Sequence, residues 1–201
     1  RGLVGSEMCI RDRNNICKMS HFLYKNKNLF CENVDVRDIA EKYGTPSYVY
    51  SKKTLEENFE SYFNAFEKNK GLICFSVKSL SNISVLKLLN EKGSGFDIVS
   101  GGELERAIHA GANPKKIIFT GIAKSNEEIT AGIKRNILAF NIESEAEMHR
   151  IEKLAAAENK VVDVAIRFNP EIDSGGHEYI KTGRKKDKLS LIHISEPTRP
   201  L

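Results

Sequence analysis

The chain has 201 residues, of which 40% are hydrophobic, 29% charged and 8% aromatic, with no tryptophan; this balance suits a soluble globular domain and excludes wholesale disorder and a fibrous fold. Lys and Arg number 31 against 27 Asp and Glu, and the excess is scattered, which excludes the concentrated basic footprint of a nucleic-acid binder. No apolar run approaches the roughly 18 residues of a membrane span, and Cys9, Cys17, Cys31 and Cys74 have no metal-ligand spacing, a pattern expected of reduced thiols in a cytoplasmic protein.

The two ends of the chain mirror each other at the level of codons. Glu7-Met8-Cys9-Ile10-Arg11-Asp12 can be encoded by GAG ATG TGT ATA AGA GAC, and the reverse complement of those bases, extended by AG, reads Leu189-Ser190-Leu191-Ile192-His193-Ile194-Ser195. Unrelated termini do not pair in this way, and the string resembles a transposon-end adapter used in preparing sequencing libraries. Residues 1–13 and 189–201 are therefore expected to be translated adapter, with 19–188 a segment of a longer gene, Met19 its start, and Cys9 and His193 outside any functional reading.

Within 19–188 the first predicted strand is Tyr48-Val49-Tyr50 and the first predicted helix runs from Lys52 to Phe66. Short apolar runs, rich in β-branched and aromatic residues, then recur: Leu72-Ile73-Cys74-Phe75, Phe96-Asp97-Ile98-Val99, Ile117-Ile118-Phe119, Leu138-Ala139-Phe140-Asn141-Ile142 and the stretch from Val161 to Phe168. Each has the length and content of a strand. Between them apolar residues fall at helical spacing, at Val85, Leu88 and Leu89 and again at Met148, Ile151, Leu154 and Ala155. Three helices open on Ser-x-x-Glu, at Ser100/Glu103, Ser125/Glu128 and Ser144/Glu147. That is the capping box, in which hydroxyl and carboxylate satisfy each other's orphan backbone donors. Strand, cap and helix repeat about every 20 to 25 residues, as βα units of a parallel sheet do. Six such strands could begin either a barrel or a doubly wound sheet. No Gly-x-Gly-x-x-Gly turn follows the first strand, which favours an α/β fold of the (β/α)8, or TIM, barrel type, present in part.

A parallel β/α protein places its site at the carboxyl ends of the strands. The residues expected there are Lys78, Asp97, Gly121, Asn141 with Glu143, and Arg167 with Asn169. Lys78 follows Phe75-Ser76-Val77 and precedes Ser79-Leu80-Ser81-Asn82. At a barrel mouth its amine would be desolvated enough to form a Schiff base; on an ordinary βα loop it would be a solvated cation. Lys124, in the loop after Gly121, is the other lysine positioned for the role.

Phe75-Ser76-Val77-Lys78-Ser79-Leu80-Ser81-Asn82, followed by Gly93-Ser94-Gly95-Phe96-Asp97-Ile98-Val99-Ser100-Gly101-Gly102-Glu103-Leu104, resembles the pyridoxal-phosphate-dependent decarboxylases whose barrel carries the cofactor. Phe119-Thr120-Gly121 and Phe140-Asn141-Ile142-Glu143-Ser144 extend the likeness. Arg167-Phe168-Asn169-Pro170 with Gly176-His177-Glu178-Tyr179-Ile180-Lys181-Thr182-Gly183 is similar to the diaminopimelate decarboxylase branch. The likeness covers nearly all of 19–188; it departs mildly at Ser79-Leu80, where the family usually has a small residue and then Asn. It implies an alanine-racemase-like barrel that continues, in relatives, into later strands and a C-terminal β-domain. It further implies that Lys78 holds pyridoxal 5'-phosphate, that the cofactor accepts the electrons released as carbon dioxide leaves, and that meso-diaminopimelate becomes L-lysine in a homodimeric enzyme, the fragment alone being inactive. Ornithine or arginine decarboxylation and a non-catalytic cofactor-binding role are the alternatives. Asp97 and Arg167 match positions near the cofactor, with a strand-end cap and a salt bridge as their plainer roles. Glu103 is also near it in relatives, although capping already explains this residue. His177 belongs to the branch signature, where it would order a loop or take part in catalysis.

Overall fold

The computed structural model describes residues 21–66 and 71–167. The chain divides into two compact units between Gly71 and Leu72.

The N-terminal unit opens with an antiparallel meander of β1 (Phe22–Lys25), β2 (Asn28–Cys31) and β3 (Val34–Asp35). Asn26 and Lys27 join β1 to β2 with φ of 51° and 69°. Positive φ at both central residues is the geometry that matches a two-residue turn to the twist of a hairpin. Helices α1 (Val36–Tyr43) and α2 (Lys52–Phe66) follow, and α2 has the bounds expected from its sequence. Glu32, in the turn between β2 and β3, caps α2 from a distance: its Oε1 accepts from the Ser51 hydroxyl at 2.7 Å and from the Lys53 N–H at 3.0 Å. Tyr48-Val49-Tyr50 is not a strand. Its alternation is that of a strand, but among the described residues no neighbouring strand supplies the ladder that extended backbone requires, and Tyr48 is 91% exposed.

The second unit is a five-stranded, wholly parallel sheet of β4 (Cys74–Ser76), β5 (Gly95–Ile98), β6 (Ile117–Phe119), β7 (Ala139–Ile142) and β8 (Val164–Ile166), in that spatial order. Helices α3 (Ile83–Glu91), α4 (Gly101–His109), α5 (Asn126–Arg135) and α6 (Glu145–Ala157) occupy the connections. Strands added one after another without reversal are the arrangement of a barrel; a doubly wound sheet would switch direction.

Register sorts the side chains by face. Phe96, Ile98, Ile117, Phe119, Phe140 and Ile142 share one face and are at most 1% exposed. That face meets the helices: a Cβ on Gly132 of α5 would come within 2.8 Å of Phe140 Cζ, so the glycine lets helix and strand close up. The other face carries Cys74, Asp97, Ile118, Asn141 and Ala165. On it Gly95 is obligatory, because a Cβ there would lie 2.5 Å from the Lys116 carbonyl oxygen and 2.7 Å from Cys74 Sγ.

Only Ser125/Glu128 forms the full capping box, with bonds of 3.2 and 2.9 Å. In the other two, the serine half stands, but the carboxylate reaches one residue further back. Glu103 accepts from Val99 N–H at 2.8 Å and Glu147 from Glu143 N–H at 2.9 Å. The cause is local: Ser100 and Ser144 have φ of −153° and −157° against −76° at Ser125, which turns a different N–H toward the glutamate.

Candidate active site

The site is assembled where β4 to β8 end. After β4 the chain tightens into a 3-10 turn, Val77–Ser79, held by Leu80 N–H donating to Val77 O at 3.1 Å and Ser79 Oγ–H donating to Ser76 O at 2.7 Å. Val77 takes the buried position of this turn, 0% exposed, and Lys78 is consequently exposed. The desolvation expected of Lys78 is therefore not found. Among the described residues its amine has no hydrogen-bond or ion-pair partner.

Asp97 lies on the inner face of β5, opposite Ser76 in the parallel register. Its Oδ2 accepts from the Ser76 hydroxyl at 3.2 Å and its Oδ1 accepts a short bond from the Thr120 hydroxyl. Thr120 Oγ1 in turn accepts from Asn141 Nδ2 at 2.9 Å. Asp97 is thus not a strand-end cap but the centre of a polar row across four neighbouring strand ends. The row borders a cavity of about 540 Å³ whose lining includes Cys74, Asp97, Ile118, Thr120, Asn141 and Arg167. Burial, and next the negative charge of Asp97, push the Cys74 thiol above its usual range, which leaves it a poor nucleophile.

Arg167 continues β8, its N–H donating to Ile142 O at 3.0 Å. Arg167 is among the residues lining the cavity, and its guanidinium pairs with Glu143 at 3.3 Å, the expected salt bridge. Glu103 faces its own helix terminus, as capping requires. His177 and Asn169 lie outside the described residues.

Gly121, at φ 108°, turns the chain after Thr120 in a conformation that favours glycine. The turn carries Lys124 inward rather than outward: the side chain of Lys124 is 0% exposed. Its three N–H donors are taken by Gly121 O at 2.5 Å, Asn141 O at 2.7 Å and Glu147 Oε1 at 2.9 Å. An ammonium has three donors and no more, so Lys124 is a structural cation and not an alternative to Lys78. Sequence reasoning named Ser76 and Thr120 only within the motifs and not as site residues. The available signal was a single polar residue at the carboxyl end of an otherwise apolar run, as Ser76 after Cys74-Phe75 and Thr120 after Ile117-Ile118-Phe119.

This placement of residues can be set against known proteins. Residues 52–196 match the family described as "Pyridoxal-dependent decarboxylase, pyridoxal binding domain". The chain belongs to that family. It is 44% identical over 173 residues to the diaminopimelate decarboxylase of Haemophilus influenzae, covering 86% of this chain and 42% of the relative. It is 45% identical over 165 residues to that of Neisseria meningitidis serogroup A, covering 82% and 41%. Among solved structures, the diaminopimelate decarboxylase from M. jannaschii in co-complex with L-lysine superposes with a TM-score of 0.76 at 35% identity, over 84% of this chain and 40% of that one. The Helicobacter pylori enzyme complexed with L-lysine gives 0.74 at 40%, over 77% and 39%. The chain therefore spans about two fifths of the length of the relatives it matches. The likeness upholds the expected family, the barrel type and the pyridoxal phosphate cofactor.

Proposed function

We propose that the whole protein of which this chain forms part is a diaminopimelate decarboxylase. Lys78 would hold pyridoxal 5'-phosphate, and meso-2,6-diaminopimelate would be converted to L-lysine and carbon dioxide. The single observation that carries the reading is the uncommitted amine of Lys78 on the turn that follows β4, the strand whose Ser76 bonds to Asp97 at the border of the cavity.

The residues present fit the cofactor. A lysine that is to form a covalent bond with an aldehyde must have an amine not already committed, and Lys78 has one where Lys124 does not. When bound, the cofactor supplies an electron sink for the pair released on loss of carbon dioxide. The chain's own contribution is positional. Asp97, fixed through both oxygens, presents negative charge to the cavity. Arg167 presents positive charge at its border and is itself oriented by Glu143. The helix-side core excludes water from one face of the sheet while the other stays open to a ligand. The substrate assignment is supported by the names of relatives 40 to 45% identical to the chain. Residues 19–188 are read as the native segment between adapter-derived ends. Homodimerisation, a cytoplasmic location and a role for His177 in the branch signature belong to the same reading; among the described residues no helix is long and apolar enough to cross a membrane.

The test is made on the full-length protein recovered from its gene. Borohydride should fix cofactor to the wild type, and Lys78→Ala should abolish the fixed adduct while Lys124→Met retains it. An adduct that survives in Lys78→Ala would overturn the assignment of the lysine. Turnover of ornithine with none of meso-diaminopimelate would overturn the substrate.

A further inference from the structure

The polar row on the inner face has an internal direction. The Asn141 amide donates to the Thr120 oxygen, and the Thr120 hydroxyl gives its only proton to Asp97 Oδ1. Ser76 donates to the other carboxylate oxygen at 3.2 Å. The links are held in place by backbone: Thr120 N–H donates to Ile98 O at 2.7 Å, and Asn141 O accepts from the buried Lys124 ammonium at 2.7 Å. Inner-face positions of a parallel barrel sheet are commonly filled with branched apolar side chains, as at Ile118 between them. Three polar residues on adjacent strands, bonded in series and bordering a cavity, are not what core packing alone selects.

We propose that Thr120 and Asn141 are positioning residues for Asp97, their one-way run of hydrogen bonds fixing where the carboxylate stands and hence how tightly the cavity holds its cofactor. This rests on the reading that the cavity receives pyridoxal phosphate. A carboxylate with one oxygen released could rotate about its side-chain bonds, and part of the binding free energy would go into holding it still. Asn141 does not touch Asp97 among the described hydrogen bonds; it acts by keeping the Thr120 hydroxyl proton turned toward the carboxylate.

The experiment uses the full-length protein in apo form, titrated with pyridoxal phosphate, with the dissociation constant and the long-wavelength absorbance maximum as readouts and apo thermal unfolding as the control for folding. Thr120→Val is nearly isosteric and should weaken binding about tenfold or more, the range for a lost hydrogen bond to a charged group. Thr120→Ser, which keeps the hydroxyl, should restore it to within about threefold of wild type. Asn141→Ala should weaken binding less, and adding it to Thr120→Val should cost nothing further, because residues that act in series are non-additive. Binding within about twofold of wild type in Thr120→Val, or a full additional loss in the double variant, would overturn the proposal. If Thr120→Val does not fold, Asn141→Ala decides alone, unchanged affinity and absorbance overturning it. A wild type that takes up no cofactor overturns the functional reading, whereas a wild type that binds it beside an unaffected Thr120→Val overturns only the positioning role.

Discussion

The two lysines of the site region show how burial separates roles that composition cannot. Lys78 is exposed and uncommitted, and in the cofactor-free protein its removal should change stability by no more than about 0.5 kcal/mol, as is usual for surface positions. Lys124 is the reverse. Its ammonium and Glu147 form a buried pair, at 0% and 5% side-chain exposure, and taking away one partner leaves an uncompensated charge or carboxylate in the interior. Lys124→Met should therefore lower unfolding free energy by about 3 to 5 kcal/mol, readable by thermal unfolding of the full-length protein. A loss no larger than that of Lys78→Ala would mean the pair is solvated. Nothing in the sequence around position 124 announced this. The signal lay in the pairing of a loop residue with a glutamate 23 positions away, and only the fold brings those together.

At the scale of elements, carboxylates shared between segments decide more than the caps themselves. Glu128 completes the box at α5 and also accepts from Gly101 N–H at the start of α4, at 2.7 Å. Glu128→Ala should therefore speed hydrogen exchange at the Gly101 amide, and Ser125→Ala, which costs about 1 kcal/mol as a lost cap, should not. Equal effects at Gly101 would refute the sharing. In the N-terminal unit the Lys53 N–H, and then the Ser51 hydroxyl, hold the Glu32 carboxyl below its ordinary range. A depressed folded-state value means the contribution is whole above the ordinary carboxyl range and is lost as pH falls through the depressed value. Protection of the first turn of α2 should accordingly decline on acidification, and Glu32→Gln should flatten that decline. The capping motifs were legible from serine and glutamate three apart, and so was the βα order. Strand bounds were less so: β4 and β5 include Ser76 and Gly95, which an apolar-run criterion discards. The meander was missed because Asn26-Lys27 is a hairpin turn without glycine. Tyr48-Val49-Tyr50 was over-read because alternation reports a pattern and not the presence of a partner.

For the whole molecule, the sheet's two outermost strands matter most. Among the described residues β4 and β8 each pair on one side only, and Val164 and Ile166 of β8 are 42% and 60% exposed. Unpaired strand edges bearing apolar side chains recruit other chains. The 201-residue chain, made alone, should therefore self-associate, and Val164→Lys with Ile166→Lys should reduce the aggregate seen by size-exclusion chromatography. A monodisperse, cooperatively unfolding monomer would contradict this. The alternation of faces along β5, β6 and β7 has a different consequence. Each strand is read by two audiences, the helices at one set of positions and, in the proposed function, a ligand at the next. Selection on binding can thus revise Asp97, Thr120 or Asn141 while Phe96, Phe119 and Phe140 stay as they are, so that novelty in the site and conservatism in the core are inherited on alternate letters of the same short words.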